Sequence, residues 1–255
     1  MIDLRKSDCA DGQVATVVIE NAAKRNCLDR NVRRAFVGAF DDLSKDETLR
    51  AIVLTGAGER AFIGGADVEE LAELDPQTAA PFITEIHDCC EAVRRSPVPV
   101  IARIRGYALG AGLEIAAACD IRVATTDSYF GMPEVKLGMP SVIEAALLPQ
   151  LIGWGRTRYL LLTGETVSAA AAHDWGLFEF VVPPEELDLT VERMCCAIAE
   201  CGPKAVRDQK ALIRDWERLP IDQAVQRGVE VFEATWRGDE AARMAGSRLA
   251  AMRRK

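Results

Sequence analysis

The order of apolar and polar residues predicts alternating strands and helices in the first half of the chain. Runs of β-branched residues such as VATVVIE are typical of strands, whereas apolar residues three and four positions apart indicate helices. The pattern predicts strands at 14–20, 50–55, 100–104, 120–124 and 129–131, and helices at 28–43, from Asp67 onward and at 82–93. Such alternation is that of βαβ units, and it predicts an α/β core.

The second half of the chain is predominantly helical. After about Ile143 the helical pattern is broken mainly at glycine and proline positions, with one further strand predicted at 178–182. No fixed-period repeat, low-complexity tract or long linker occurs in the sequence. We therefore predict a core at 1–195 and a helical C-terminal subdomain at 196–255.

The composition is that of a globular protein with an acidic balance. The chain has 255 residues, of which 49% are hydrophobic and 27% are charged, and a formal net charge of −8. Nucleic-acid binding is driven by clustered Lys and Arg residues that release counterions from phosphates. The charge balance therefore argues against nucleic acid as the main partner.

The cysteines, the histidines and the N-terminus bear on the compartment. Eight cysteines occur in a chain without a secretory start, so we expect free thiols in a reducing environment. No CxxC or HxxxH spacing accompanies the two histidines, His87 and His173, and no metal site is predicted. No window approaches the roughly 18 apolar residues of a membrane span. These features predict a cytoplasmic protein with no membrane partner.

Two glycine loops share one construction. GGAD at 64–67 and GAGLE at 110–114 each precede a predicted helix, and Asp67 with Glu70 has the capping-box pattern. A helix start leaves unpaired main-chain N–H groups, and small residues let a ligand approach them closely. Two such loops could polarise one carbonyl oxygen as an oxyanion hole, or the glycines could simply form tight turns.

Other glycine motifs point less clearly to a function. GAGERA at 56–61 follows a strand and fits the GxGxxA pattern of dinucleotide binding, but no helix opens inside it. The sequence contains no GxxxxGK[ST] motif, and none of its serines lies in a GxSxG elbow. A Rossmann dehydrogenase and a serine hydrolase are therefore disfavoured.

Two glutamates are candidates for proton transfer. Glu114 lies in the first turn of the helix after the second glycine loop, and Glu134 follows FGMP. Both have mainly apolar neighbours, so burial could alter their proton affinities and divide acid and base roles between them. The alternative is that Glu114 complements the helix dipole while Glu134 caps or pairs at the surface.

Several segments together resemble the crotonase family, the enoyl-CoA hydratase/isomerase group, over nearly the whole chain. The segments are NAAKRNCL at 21–28, AFIGGAD at 61–67, GYALGAGLEIAAACD at 106–120, FGMPEVKLG at 130–138, and the LLTGE and WGL motifs at 161–165 and 175–177. The resemblance implies an α/β fold of the crotonase-like (ClpP/crotonase) type, a spiral of ββα units with a C-terminal helical trimerisation region. It also implies that 1–195 carries a CoA-thioester site and that 196–255 assembles a homotrimer or a dimer of trimers.

The resemblance further implies an enoyl-CoA hydratase, which adds water to a trans-2-enoyl-CoA to give a 3-hydroxyacyl-CoA. The main-chain N–H groups of Ala66 and Ala111 would hold the thioester carbonyl. Glu114 would orient and deprotonate a water that attacks C3, and Glu134 would protonate C2. No cofactor is implied beyond the coenzyme A of the substrate. The residues expected to contact the substrate or its CoA are Lys24, Arg25, Gly64, Gly65, Asp67, Val68 and Gly110; for Lys24 and Arg25, ordinary exposed charges are an equal alternative.

One departure from the family pattern concerns the segment after Glu134. Hydratases commonly have a glycine-rich PGxGG stretch where this chain has MPSVIEAA at 139–146, so we expect a reshaped acyl pocket. We expect Glu144 to be a first-turn helix residue rather than an extra acid or a ligand for a polar acyl group. His87 is expected to have a structural role or to lie at the surface.

Other activities on the same scaffold remain open. An isomerase, a hydrolase or a carbon–carbon lyase could use the same oxyanion hole, and a non-catalytic binding protein could retain the fold. The presence of both glutamates favours hydration over each of these.

Overall fold

The computed structural model describes residues 1–9 and 12–253. The strands are Ile2–Cys9 (β1), Gly12–Ile19 (β2), Leu49–Gly56 (β3), Ala61–Ile63 (β4), Val100–Ile104 (β5), Tyr107–Leu109 (β6), Ile121–Thr125 (β7), Tyr129–Gly131 (β8), Thr166–Ser168 (β9) and Phe180–Val182 (β10). The α-helices are Arg30–Leu43 (α1), Val68–Ala72 (α2), Ala79–Arg95 (α3), Ala111–Ala118 (α4), Leu148–Thr163 (α5), Ala169–Asp174 (α6), Leu187–Ala199 (α7), Pro203–Trp216 (α8), Ile221–Thr235 (α9) and Glu240–Met252 (α10). Short 3₁₀ helices lie at Ala22–Lys24, Pro133–Leu137, Ile143–Leu147 and Pro184–Glu186.

The chain alternates between two sheets as it advances. The larger sheet has the order β1-β2-β3-β5-β7-β10, and the smaller sheet has the order β4-β6-β8-β9. The pairs β3–β4, β5–β6 and β7–β8 each place one strand in the larger sheet and the next strand in the smaller one. Helices follow these pairs before the chain returns to the larger sheet. The repetition is a spiral of ββα units.

Strand β3 lies at the centre of the packing and is buried at every position. Ile52 and Leu54 belong to the main core, which is formed with α1, α3 and α4. Val53 points to a smaller cluster in which β3 packs against Leu187 and Val191 of α7. Because both faces of the strand are covered, the stretch from Ala51 to Leu54 is continuously apolar rather than alternating.

The predicted core elements are confirmed, and the structure adds four strands. The additional strands are β1, which is rich in charged residues, and β4, β6 and β9, each of three residues. The expected capping box is only half formed. The Asp67 carboxylate accepts from the Glu69 N–H, but Glu70 accepts from the Arg30 N–H instead of closing back on Asp67.

The C-terminal helices differ in how firmly they contact the core. Lys210 of α8 is buried, and its ammonium donates to the carboxylate of Asp120 at 2.6 Å and to the Val98 carbonyl at 2.9 Å. Helices α9 and α10, in contrast, bury Ala224 alone among their described residues. The predicted division between 195 and 196 falls within α7.

Two further sequence expectations can be compared with the structure. All eight cysteines are free thiols, as expected. Among the described residues, none of the helices has both the length and the apolar character that crossing a membrane requires.

Replacing Lys210 with methionine should weaken the contact between α8 and the core. The variant removes the buried ammonium that pairs with Asp120 and donates to the Val98 carbonyl, so we expect the free energy of unfolding to fall by about 3 kcal/mol. Urea denaturation followed by circular dichroism measures the change. Lys204→Met is the matched control, because Lys204 pairs with Asp208 at the surface of the same helix and should cost less than about 0.5 kcal/mol. Equal stability of the two variants would contradict the role of Lys210.

Candidate active site

The two glycine loops leave neighbouring strands at the same edge of the smaller sheet. Strand β4 pairs in parallel with β6, so their carboxyl ends lie side by side. The first loop follows β4 and leads to α2, and the second follows β6 and leads to α4. Ligands of α/β proteins bind at this kind of edge. The topology therefore brings the two predicted loops together.

Helix α4 approaches the end of β4 without room for a side chain at its start. A Cβ atom on Gly112 would lie 2.1 Å from the carbonyl oxygen of Ile63. Gly110 has φ +53°, and a Cβ there would lie 2.3 Å from Oε1 of Glu134. Glycine is thus required at both positions. The expected glycine loop permits close packing in addition to forming a turn.

A cavity of about 150 Å³ lies between the two loops. The residues expected to form the site and found in its lining are Gly64, Gly65, Ala66, Val68, Gly110, Ala111, Glu114 and Glu134. Ala111 is the first residue of α4, so its N–H has no carbonyl partner within the helix. The N–H groups of Leu113 and Glu114, in contrast, both donate to the Gly110 carbonyl. The cavity therefore combines small-residue loops with two carboxylates.

Glu114 is buried beside other carboxylates. Its side chain projects from α4, and its Oε1 accepts from the Ala145 N–H at 2.9 Å. The pKa of Glu114 is raised to about 8, mainly by burial. The Ala145 N–H opposes this rise, and the Glu134 and Glu144 carboxylates contribute to it. The raised pKa favours the protonated form of Glu114 at neutral pH, whereas the family resemblance implies that this residue acts as a base.

Glu134 also lines the cavity and is half-buried. It stands in the 3₁₀ helix Pro133–Leu137, and its Oε2 accepts from the Ser141 hydroxyl at 2.7 Å. Its Oε1 faces Gly110, as the close approach at that glycine shows. Ser141 was not among the site residues expected from the sequence. The signal available was its place in the segment that departs from the family pattern.

Glu144 lies behind the cavity rather than in its lining. It occupies the first turn of the 3₁₀ helix Ile143–Leu147, as expected, but its side chain is buried and its Oε1 is 2.8 Å from Nδ1 of His87. Its Oε2 is buried without a hydrogen-bond partner among the described residues. His87 is half-exposed and contacts this carboxylate instead of the cavity. Glu144 is therefore placed to act on Glu114 by its charge.

Lys24, Arg25 and Asp67 lie outside the cavity lining. The Lys24 ammonium is 3.1 Å from Oδ2 of Asp67 and 2.7 Å from Oε2 of Glu69. Burial alone would raise the pKa of Asp67, but the Lys24 ammonium and the Glu69 N–H hold it below the ordinary value. The Arg25 carbonyl accepts from the Gly64 N–H at 2.9 Å. These contacts hold the first loop in place.

Replacing Glu114 with glutamine should change how stability depends on pH. The folded protein binds a proton at Glu114 up to about pH 8, whereas the ordinary pKa is 4.5, so wild-type stability from this group declines between those values. Glutamine removes that loss. Relative to the wild type, the free energy of unfolding of the variant should therefore increase by on the order of 3 kcal/mol between about pH 5 and about pH 8.

Urea denaturation at the two pH values measures this shift. The exposed Glu73→Gln substitution is the control and should show no pH-dependent difference from the wild type. A pH-independent difference for Glu114→Gln would mean that the Glu114 pKa is not raised.

Comparisons with known proteins agree with the geometry. A sequence model described as enoyl-CoA hydratase/isomerase matches residues 10–248. A short-chain-enoyl-CoA hydratase of Clostridium acetobutylicum is 33% identical over 223 residues, which cover 87% of this chain and 85% of that protein. A crotonyl-CoA hydratase of Syntrophomonas wolfei is 31% identical over 221 residues, covering 86% of this chain and 85% of that protein.

Solved structures show the same fold. An enoyl-CoA hydratase from Mycobacterium smegmatis superposes with a TM-score of 0.92 at 30% identity, covering 97% of this chain and 96% of that one. An enoyl-CoA hydratase from Bacillus anthracis gives a TM-score of 0.91 at 30% identity, covering 99% of this chain and 96% of that one. The predicted crotonase-like α/β fold is thereby confirmed. The chain belongs to the enoyl-CoA hydratase/isomerase family.

Proposed function

We propose that this protein is an enoyl-CoA hydratase that adds water across the 2,3 double bond of a trans-2-enoyl-CoA to give a 3-hydroxyacyl-CoA. The observation that carries the proposal is the presence of Glu114 and Glu134 in one cavity with the two glycine loops. Relatives named as hydratases support the same chemistry. An isomerase, a hydrolase or a carbon–carbon lyase would give a product without an added water across the double bond.

The two loops would stabilise the enolate that forms during addition. In this proposal the thioester oxygen lies between the main-chain N–H groups of Ala66 and Ala111. Negative charge develops on that oxygen as water adds at C3, and preorganised donors stabilise it more than they stabilise the substrate. Loss of one such donor typically costs about 3 to 4 kcal/mol of transition-state stabilisation.

The two glutamates would move the protons. Hydration needs one carboxylate that takes a proton from water and another that gives a proton to C2, so the pair must hold one proton in total. Burial raises the pKa of Glu114 to about 8, which favours the protonated form of this residue. In the proposed reaction Glu114 gives up this proton before it takes one from water. Glu114 then serves as the base and Glu134 as the acid.

Coenzyme A would enter as part of the substrate, and the proposed reaction uses no other cofactor. Gly64, Gly65, Val68 and Gly110 line the cavity and offer main-chain contacts close to the thioester. Lys24 and Arg25 have exposed side chains near the first loop, where phosphate or pantetheine groups could contact them. Because Lys24 already pairs with Asp67, CoA binding would exchange or extend that ion pair.

The C-terminal region 196–255 is proposed to assemble a homotrimer or a dimer of trimers. Four apolar residues of α9 that recur at helical spacing are more than half exposed; they are Ile221, Val225, Val229 and Phe232. An apolar face of this extent is typical of a protein–protein contact. We place the assembled enzyme in the cytoplasm, where its eight thiols would stay reduced.

Replacing either catalytic candidate should abolish hydration without abolishing binding. Glu114→Gln and Glu134→Gln keep the size of each side chain but remove its proton transfer, so we expect kcat/KM to fall by roughly 10³-fold or more. Loss of the near-ultraviolet absorbance of crotonyl-CoA measures the rate, and mass spectrometry verifies the gain of one water. Calorimetry with butyryl-CoA should give nearly unchanged affinity.

The control is Glu165→Gln, which removes an exposed carboxylate paired with Lys136. It should retain wild-type activity. Full activity of either active-site variant, or a product of unchanged mass, would refute the proposed hydration.

The apolar face of α9 should set the assembly state. Sedimentation equilibrium should give three or six times the 27.8 kDa mass of one chain. Phe232→Asp places a charge in the apolar face and should lower the mass toward that of one chain, whereas Gln226→Asp on the same helix should not. A wild-type protein that sediments only as a single chain would rule out the proposed assembly.

A further inference from the structure

The cavity at the candidate active site is small and has mainly apolar walls. Its volume is about 150 Å³, and its large apolar side chains include Leu71, Phe82, Ile83, Ile86 and Val142. An apolar protein cavity of about this size holds one benzene molecule, which has six carbon atoms. The space beside the two carboxylates therefore fits a short acyl group and leaves little room for a long one.

A second cavity shares one stretch of wall with the first. Its volume is about 600 Å³, and its lining includes Pro149, Gln150 and Trp154. The residues that line both cavities are Ser141 and Val142. The Ser141 hydroxyl is bonded to Glu134, which leaves the Val142 side chain as the apolar part of the shared wall. A chain that grows beyond the first cavity would have to pass this side chain to enter the second.

The backbone on both sides of Val142 is fixed by its neighbours. The Ser141 hydroxyl donates to the Glu134 carboxylate, and the Glu144 carboxylate is hydrogen-bonded to the ring of His87 on α3. The Ala145 N–H is bonded to the buried carboxylate of Glu114. Moving the segment aside would break these contacts, two of which involve the proposed catalytic residues. Val142 is 43% exposed, but it lies on a segment that these contacts hold in place at the edge of the cavity.

We propose that Val142 sets the upper limit of acyl-chain length and that the substrate is a short-chain enoyl-CoA of about four to six carbons. This inference rests on the proposed function and adds the substrate class to it. Removing the side chain of Val142 joins the two cavities and admits longer chains. Val142 has an extended backbone with φ −133°, so alanine fits there without strain.

Calorimetry with a series of saturated acyl-CoAs tests the proposal without requiring turnover. Butyryl-, hexanoyl-, octanoyl- and decanoyl-CoA are titrated into the wild type and into Val142→Ala. Each methylene that becomes buried should raise the affinity by up to about fourfold. In the wild type we expect this rise to stop after hexanoyl-CoA, whereas in the variant it should continue through decanoyl-CoA.

Val181→Ala is the matched control, because Val181 is a partly buried valine of β10 outside both cavities. This variant should keep the wild-type limit of acyl-chain length. The ratio of kcat/KM for trans-2-decenoyl-CoA to that for crotonyl-CoA should rise at least tenfold in Val142→Ala and stay unchanged in Val181→Ala.

Two results would overturn the role of Val142. One is a wild-type affinity that rises evenly through decanoyl-CoA. The other is a Val142→Ala variant that binds butyryl-CoA normally and still has the wild-type limit. If the wild type binds the acyl-CoA series but hydrates no enoyl-CoA, the hydratase function fails, and the binding series alone decides the chain-length proposal. If it binds no acyl-CoA at all, both proposals are refuted.

Discussion

The close approach of helix α4 to the end of strand β4 is the contact on which the site depends. Gly112 has no side chain, and this lets the first turn of α4 rest against the Ile63 carbonyl. The free N–H of Ala111 then lies beside the loop that contains Ala66, and both residues line one cavity. Glu114, two residues beyond Gly112, is carried into the same cavity from a fixed helix. A larger residue at position 112 would separate all of these groups at once.

The burial of Glu114 has an energetic cost that its surroundings only partly offset. A buried carboxylate is stabilised in its charged form by N–H donors and destabilised by neighbouring negative charges. Here one main-chain N–H, from Ala145, opposes both low polarity and the charges of Glu134 and Glu144. The result is a site that holds a proton under conditions in which an ordinary glutamate has lost it. Proton storage of this kind suits a reaction that must both accept and deliver a proton.

Most of the fold could be predicted from the sequence, because long apolar strands and amphipathic helices have strong local patterns. Strands β4, β6 and β9 could not, since three residues carry too little periodicity, and the charged β1 is recognisable only through its pairing with β2. Of the nineteen residues that line the cavity, eight were anticipated from the family resemblance. The contacts of Ser141 and His87 were not, because each joins residues whose proximity is created by folding alone. The predicted capping box was wrong for Glu70, because the carboxylate of this residue accepts from the Arg30 N–H on a different segment.

The segment 141–145 performs several tasks on nearly adjacent residues. Ser141 contacts one candidate acid, Val142 lines the cavity, Glu144 contacts His87, and Ala145 donates to the other candidate acid. In many enzymes, residues that select the substrate and residues that tune proton transfer lie on separate loops and can diverge separately. Here an insertion or deletion in one five-residue stretch alters both properties together. The proposed limit on chain length and the proposed acid–base chemistry thus depend on one segment, and we expect variants that preserve both to change its side chains at constant loop length.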